Sequence, residues 1–221
     1  MGKRIHLVVP ALLLLPALHS LVGGWATVTL EQLPEYLVAT RTVTLSFMVR
    51  QHGVTPLKGV QPTLEARTGG RSAQGTVTPG ARDGQYLASF SLPTPGNWTI
   101  TIHSGWGSSK LTLLPIAAIA PGAAAPVALA DAQRGRHLFV GKGCVGCHIR
   151  EEGDVGDGAS IGPALTGKRY QAEFLRRFLA DPAANATHTG SFRMPNLGLQ
   201  QPEIRALVAF LNSDRPAAVG Q

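Results

Sequence analysis

Sulfur-containing, aromatic and charged residues are scarce in this chain of 221 residues. It has two cysteines and three methionines, 6% of its residues are aromatic and 15% are charged. Because both cysteines lie at 144 and 147, no disulfide can brace the long segment before them. Lysine and arginine exceed aspartate and glutamate by 20 to 13, but these basic residues are spread thinly. No segment has the dense basic stripe of a nucleic-acid-binding protein, so we exclude nucleic acid as a partner.

Residues 5–24 contain no lysine, arginine, aspartate or glutamate. Lys3 and Arg4 come before this apolar run, which is the order of charge and apolarity in an export signal. The run is about as long as the shortest membrane-spanning helices, but Pro10 and Pro16 interrupt it. We interpret residues 1–24 as a cleaved signal peptide or a retained membrane anchor. Both interpretations predict an exported chain, periplasmic or on the extracytoplasmic face of a membrane.

Residues 25–114 carry seven short runs of β-type sequence separated by turns rich in glycine and proline. In one of them Val43, Leu45, Phe47 and Val49 alternate with more polar residues, which is typical of a strand buried on one face. Seven such strands predict an all-β, antiparallel, immunoglobulin-like sandwich. Without cysteine, its core must rest on burial alone, and we expect Trp98 at its centre.

Residues 115–130 are uncharged and rich in alanine and proline. Prolines at 115, 121 and 126 prevent one continuous helix, so we interpret the segment as a semi-stiff linker between two domains. The alternative is a last strand and loop packed on the sandwich, since residues 113–120 are apolar enough to be buried.

From residue 131 to residue 221 the apolar pattern becomes helical. We predict three helices, in 131–144, 171–182 and 201–213, with Asp131 as the N-cap of the first and Pro202 in the first turn of the last. In the last helix Ile204, Leu207, Val208 and Leu211 form one apolar stripe. The multi-domain prediction is therefore an N-terminal all-β sandwich followed by a small C-terminal all-α domain.

The two cysteines form the motif Cys144-Val-Gly-Cys147-His148. A disulfide across so short a loop would add little stability, and a redox dithiol is expected after a strand rather than a helix. A zinc site would lack a second pair of cysteine ligands. Cys-x-x-Cys-His is the signature of covalent haem attachment, in which Cys144 and Cys147 form thioethers and His148 is the proximal iron ligand. We predict one haem c, which would also complete the core of a small domain.

The second axial ligand must come from elsewhere in the sequence. Met194 is the only methionine after the motif, and Pro195 restricts the loop that carries it. His188 is an alternative ligand, because imidazole also binds iron well. Met194 could instead be a gap-filling core residue.

Residues 131–214 resemble the class I cytochrome c family in the ordered segments CVGCH, IGPALTGK, MPNLGL and EIRALVAFL. The resemblance implies that Gly135 and Phe139 pack against the last helix near Phe210. It implies that the Pro163 carbonyl accepts a hydrogen bond from the His148 ring. It also makes Tyr170, with Arg169 or Lys168, a candidate for contact with the haem propionates, although these two charges could equally form a solvated turn.

The N-terminal domain resembles exported YtkA-like or FixH-like modules in the segments RQHGVTPLKGVQPTLEA and DGQYLASFSLPTPGNWTITI. Because such modules are associated with copper or with membrane oxidases, we considered His52, His103 and Met48 as soft ligands. They share no ligand-like spacing, and we interpret them as ordinary surface or turn residues.

These features together predict an electron carrier that is not itself an enzyme and binds no small-molecule substrate. The expected partners are redox proteins, among them subunits of a membrane oxidase or reductase. The acidic residues Glu151, Glu152, Asp154 and Asp157 could face a basic partner or form a solvated loop. Two alternatives are a haem enzyme with an open sixth position, acting on peroxide or a small gas, and a docking or assembly subunit of a membrane oxidase.

Overall fold

The computed structural model describes residues 24–150, 161–185 and 194–213. Within these ranges an all-β region is followed by a helical region, which confirms the predicted two-part layout. The ten strands are β1 (Ala26–Leu30), β2 (Leu37–Val38), β3 (Thr42–Gln51), β4 (Thr55–Pro56), β5 (Thr63–Thr68), β6 (Arg71–Pro79), β7 (Gln85–Ser91), β8 (Gly96–His103), β9 (Lys110–Thr112) and β10 (Ile116–Ile119). The helices are α1 (Asp131–Gly141), a 3-10 turn at Cys144–Gly146, α2 (Ala172–Ala180), α3 (Pro182–Asn185) and α4 (Gln201–Leu211).

The strands run in the order β1-β3-β7-β6-β5-β8-β10-β2, with β4 paired to β3 and β9 paired to β8. Side chains from both ends of this path enter one core, so the sheet encloses its own apolar interior. Phe47 on β3 and Trp98 on β8 are fully buried there. Trp98 is thus in the core, as predicted, and its indole N–H donates to the Thr94 carbonyl at 3.0 Å.

Two details of the β region differ from the prediction. All seven predicted strands are present and β2 and β4 were missed, whereas β10 is the last strand that we gave only as the alternative to a linker; β10 pairs in parallel with β2. The likeness to an antiparallel immunoglobulin-type sandwich is therefore loose. The short β2 and β4 have too few residues to give an alternating pattern of their own.

The predicted boundary at residue 114 is also wrong. Strand β10 lies in the segment that we interpreted as linker, and it pairs with β8 through Ile116 and Trp98. Ile116 and Ala118 are buried, so the alternating apolar side chains of this strand belong to the sandwich core. The residues from Pro121 to Ala130 are exposed, and the connection between the two regions is confined to about this stretch.

The helical region is organised by the crossing of α1 and α4. A Cβ atom at Gly135 would lie 2.0 Å from the carbonyl oxygen of Ala206, so only glycine lets the two helices approach this closely. One turn away the rings of Phe139 and Phe210 are 5.5 Å apart. Both contacts are those that the family resemblance implied.

Helix α1 begins differently from the prediction. Its N-cap is Ala130, and Asp131 is the first helical residue. The Asp131 carboxylate makes no cap hydrogen bond but accepts one at 3.1 Å from the Arg205 guanidinium on α4. Asp131 therefore forms a long-range ion pair with Arg205 instead of a local N-cap hydrogen bond. Among the described residues no helix is long and apolar enough to cross a membrane.

Candidate functional site

The two cysteines and His148 lie on a tight turn directly after α1. Gly143 has a positive φ of 73°, which reverses the chain from the helix into the 3-10 turn. The amides of Cys147 and His148 both donate to the Cys144 carbonyl, at 3.0 and 2.9 Å. These two hydrogen bonds to one carbonyl hold Cys144, Cys147 and His148 close together. Both cysteines are free thiols in this turn.

The orientation of the His148 ring is fixed from the following segment. Its Nδ1 lies 3.0 Å from the Pro163 carbonyl oxygen, which is the hydrogen bond that the resemblance implied. A carbonyl can only accept, so Nδ1 carries the proton and donates it. In the neutral ring, Nε2 then keeps its lone pair, which is the form that binds a metal.

Gly162 is a site residue that the sequence analysis missed. Its amide donates to the Cys147 carbonyl at 2.9 Å, and a Cβ atom there would lie 2.4 Å from Cε1 of His148. The segment that carries Pro163 can therefore press against the imidazole only because residue 162 has no side chain. A glycine directly before the proline of IGPALTGK is the only sequence signal for this role.

The thiols are held in their protonated form by their surroundings. Burial, with a smaller contribution from the neighbouring Cys147, raises the pKa of Cys144 to about 12, although the charge of Lys142 acts in the opposite direction. Burial also raises the pKa of Cys147.

The remaining predicted haem contacts are placed as follows. Tyr170 is half-buried against the core, and its amide donates to the Asn212 side chain at 2.9 Å. Arg169 and Lys168 are exposed, as a solvated turn would be. Met194 is half-buried and packs on the hydrophobic core. His188 and the acidic residues of 151–157 lie outside the described residues.

These residues fit a covalently attached haem. Two neighbouring thiols and an imidazole with a free Nε2 are the donor set that such attachment requires. Several apolar side chains around the helices are only partly buried although they pack on the core; they are Val145, Leu165, Tyr170, Met194 and Leu199. A large apolar group lying against them would complete their burial.

Two buried cations were also missed by sequence reasoning. The Arg150 guanidinium donates to the carbonyls of Phe210 and Ser213 at 3.4 and 2.7 Å and lies over the Phe210 ring, so it caps the end of α4. Lys142 is 2% exposed. The burial of Lys142 and Arg150, which flank the motif, could not be predicted from the sequence, because isolated lysine and arginine residues are usually at the surface.

The three soft side chains of the sandwich lie in different settings. Met48 is buried on β3. The His52 ring lies 5.7 Å from that of Trp25, and His103 Nε2 lies 3.9 Å from a Glu65 carboxylate oxygen. Among residues 24–150, 161–185 and 194–213 there is no group of three histidine, cysteine or acidic side chains able to hold a metal ion.

Two solved structures show distant similarity to this chain. The surface layer protein SbsC, domains 1–6, is 16% identical over 46% of this chain and 14% of that chain, with a TM-score of 0.36. The ZirS C-terminal domain is 10% identical over 54% of this chain and 86% of that chain, with a TM-score of 0.29. Neither similarity is close enough to carry an argument about fold or function. No curated protein sequence matches the chain.

Residues 132–214 match the family model described as cytochrome c. The match begins one residue inside α1, includes the attachment turn and ends just after α4. A cytochrome c domain implies haem c and supports a role in haem-based electron transfer with redox partner proteins. The chain therefore consists of an N-terminal β-sheet region and, at residues 132–214, a domain of the cytochrome c family.

Proposed function

We propose that this chain is an exported c-type cytochrome that transfers single electrons between redox proteins. The observation that carries the proposal is the attachment turn, in which a Cys-x-x-Cys-His sequence presents a histidine whose Nδ1 is bound to the Pro163 carbonyl at 3.0 Å. This leaves Nε2 as the metal-binding atom next to two free thiols.

Each residue of the turn has a distinct role in this proposal. Cys144 and Cys147 would hold one haem through thioether bonds, and His148 would be a ligand of its iron. When bound, the haem supplies a one-electron Fe(II)/Fe(III) couple. Pro163 and Gly162 keep the imidazole in one orientation and one tautomer, so the ligand does not reorganise as the charge at the iron changes. Tyr170 and Arg169 are the proposed propionate contacts.

We propose Met194 as the second axial ligand. Its half-buried position against the core and the neighbouring Pro195 support a thioether held in one place. A thioether ligand favours the reduced iron and raises the potential. With both axial positions filled by side chains, no small-molecule substrate would reach the metal, and the protein would act as a carrier.

We also propose the cellular setting and the partners. Residues 1–24 would export the chain and be cleaved or kept as an anchor, and the cytochrome domain would extend from residue 131 to residue 221. The YtkA-like or FixH-like segments of residues 25–114 support a place beside a membrane oxidase or reductase, with electrons passing across a small, short-lived interface. Intact mass of the protein from the soluble and the membrane fractions tests this: loss of about the first 24 residues indicates cleavage, and haem protein left in the cytoplasm would contradict export.

Optical spectra of the natively matured protein test the electron-carrier proposal. We expect haem that stays with the chain in acidified organic solvent, a far-red sulfur–iron band in the oxidised state, and no binding of carbon monoxide in the reduced state. Met194→Ala should abolish the far-red band and open the iron to carbon monoxide while keeping the haem. Met48→Leu, which changes a methionine of the sandwich, is the matched control and should leave the spectra unchanged.

Each contrary result points to a different conclusion. A colourless protein, or haem that is extracted by acid solvent, would refute the proposal. Wild-type protein that binds carbon monoxide readily would favour the alternative enzyme with an open sixth position. A far-red band that survives in Met194→Ala would exclude Met194 as the ligand.

A further inference from the structure

Lys142 lies at the C-terminal end of α1, two residues before Cys144, and its side chain is 1% exposed. Its ammonium group is 2.8 Å from a carboxylate oxygen of Glu203, in the first turn of α4. It also donates at 2.8 Å to the main-chain carbonyl of Glu31, in the sandwich. One buried cation thus joins the end of one helix, the beginning of another and the β region.

Both partners of Lys142 are themselves held in place. The other carboxylate oxygen of Glu203 accepts a hydrogen bond at 3.0 Å from the amide of Gln200 at the start of α4. The side chain of Glu31 is bonded within the sandwich, where it contacts Ser46, Arg82 and Gln85. The sandwich therefore offers a fixed carbonyl to the lysine rather than a mobile one.

The surroundings of Lys142 form a close contact between the two regions. A Cβ atom at Gly143 would lie 2.7 Å from the Val28 carbonyl oxygen, and one at Gly141 would lie 3.2 Å from the Leu33 side chain. On the same helix the Arg134 guanidinium donates to the Leu33 carbonyl at 2.5 Å. The sandwich backbone thus covers the residues that lead directly into the attachment turn.

We propose that Lys142 is a positioning residue through which the sandwich fixes the haem-attachment turn and sets the electrostatic potential there. The electrostatic half rests on the proposed haem function, whereas the positioning half does not. The sandwich is then a structural part of the cytochrome site and is not a separate module connected only by a linker.

The physical argument starts from the cost of burying an ammonium group. An isolated buried lysine would lose its charge, but a carboxylate and a carbonyl at hydrogen-bond distance compensate for the lost water. Removing one partner of such a group leaves the other buried and unpaired, which is far more costly than removing an exposed pair. The junction therefore favours one position of the sandwich relative to α1.

The chain contains a matched control. Arg205 on α4 and Asp131 on α1 form an ion pair at 3.1 Å between the same two helices, but their side chains are 63% and 49% exposed. Arg205→Gln removes a cation without disturbing the sandwich contact. It should have little effect, as exposed ion pairs generally do.

Hydrogen exchange of the full chain tests the positioning role. In Lys142→Met we expect exchange to rise about tenfold or more in peptides covering both 24–34 and 136–147, with β8 unchanged. Arg134→Gln should raise exchange in the same two peptides, which keeps the test informative if Lys142→Met does not fold. A rise restricted to 24–34, or exchange in Lys142→Met equal to that in Arg205→Gln, would overturn the positioning role.

The reduction potential tests the electrostatic role. A buried positive charge near the turn disfavours the extra charge of Fe(III), so Lys142→Met should lower the potential and Glu203→Gln should raise it. A purely structural loosening would shift both variants in the same direction, and that result would overturn the electrostatic role. Exchange is compared between wild type and variants that carry the same amount of haem. A colourless wild-type protein would refute the proposed function, whereas equal exchange in haem-bound Lys142→Met and Arg205→Gln would refute the positioning role alone.

Discussion

The two regions of the molecule complete their cores to different degrees. In the sandwich Trp98, Ile100 and Ile102 alternate along β8 and are fully buried. In the described part of the cytochrome domain, burial is concentrated where α1, α2 and α4 meet, and residues such as Leu165, Met194 and Leu199 are only partly covered. From this comparison we expect the sandwich to be stable by itself and the cytochrome domain to need a large apolar group.

Preventing haem attachment would sharpen this comparison most. In the double variant Cys144→Ala, Cys147→Ala we expect no covalent haem and loss of exchange protection throughout α1 and α4, because the domain loses part of its core. Strand β8 should keep its protection. Intact mass and hydrogen exchange measure both effects. Equal protection of the helices with and without haem would show that the cytochrome domain is self-sufficient.

Creating a large cavity in the sandwich core tests whether the sandwich depends on its own core for stability. Trp98→Ala removes a fully buried side chain and its hydrogen bond to Thr94, and should lower the free energy of unfolding by about 3–5 kcal/mol. Urea unfolding followed by far-UV circular dichroism measures the loss, and Trp98→Phe should lose less. A loss for Trp98→Ala below about 1 kcal/mol would mean that the sandwich does not depend on this core.

A methyl group at the helix crossing should act on the cytochrome domain alone. Gly135→Ala places a Cβ atom against the Ala206 carbonyl and should destabilise the domain by about 1–3 kcal/mol, since the two helices must separate. Gln133→Ala on the same helix is the control. Unfolding followed at the haem absorption band measures the effect, and equal stability of the two variants would contradict the close approach of α1 and α4.

The smallest expected effect concerns pH. Burial lowers the pKa of His137 on α1, and the charges of Arg134 and Arg136 lower it further. Above the ordinary pKa of about 6.5 the histidine is neutral in both states, so it contributes no pH dependence. Below it the unfolded chain takes up a proton that the folded chain resists, so stability falls. His137→Asn should flatten the decline in unfolding free energy between about pH 6.5 and pH 5, and an unchanged slope would contradict it.

Much of the fold could be predicted because its signals are local. The alternation of Leu45, Phe47 and Val49 gave β3, and the apolar stripe from Ile204 to Leu211 gave α4. Strand β10 could be given only as the alternative to a linker, because an uncharged, apolar sequence fits both. Its pairing with β8, about twenty residues earlier in the chain, decides between them.

The residues of the candidate site also fall into two groups, those that local sequence signals reveal and those whose roles only the structure shows. Cys144, Cys147 and His148 are recognisable because attachment chemistry requires fixed spacing along the chain, and Pro163 followed from the family resemblance. The roles of Gly162, Arg150 and Lys142 depend on what lies opposite them, and no local pattern distinguishes a buried lysine from an exposed one.

By itself, then, the sequence determined most of the elements, their order and the chemistry of the attachment turn, because each depends on residues close together in the chain. Only the tertiary structure decided that the sandwich carbonyl of Glu31 meets Lys142 beside that turn. The physical reason is that such contacts join residues more than a hundred positions apart, and their geometry is set by the packing of whole elements rather than by local propensity.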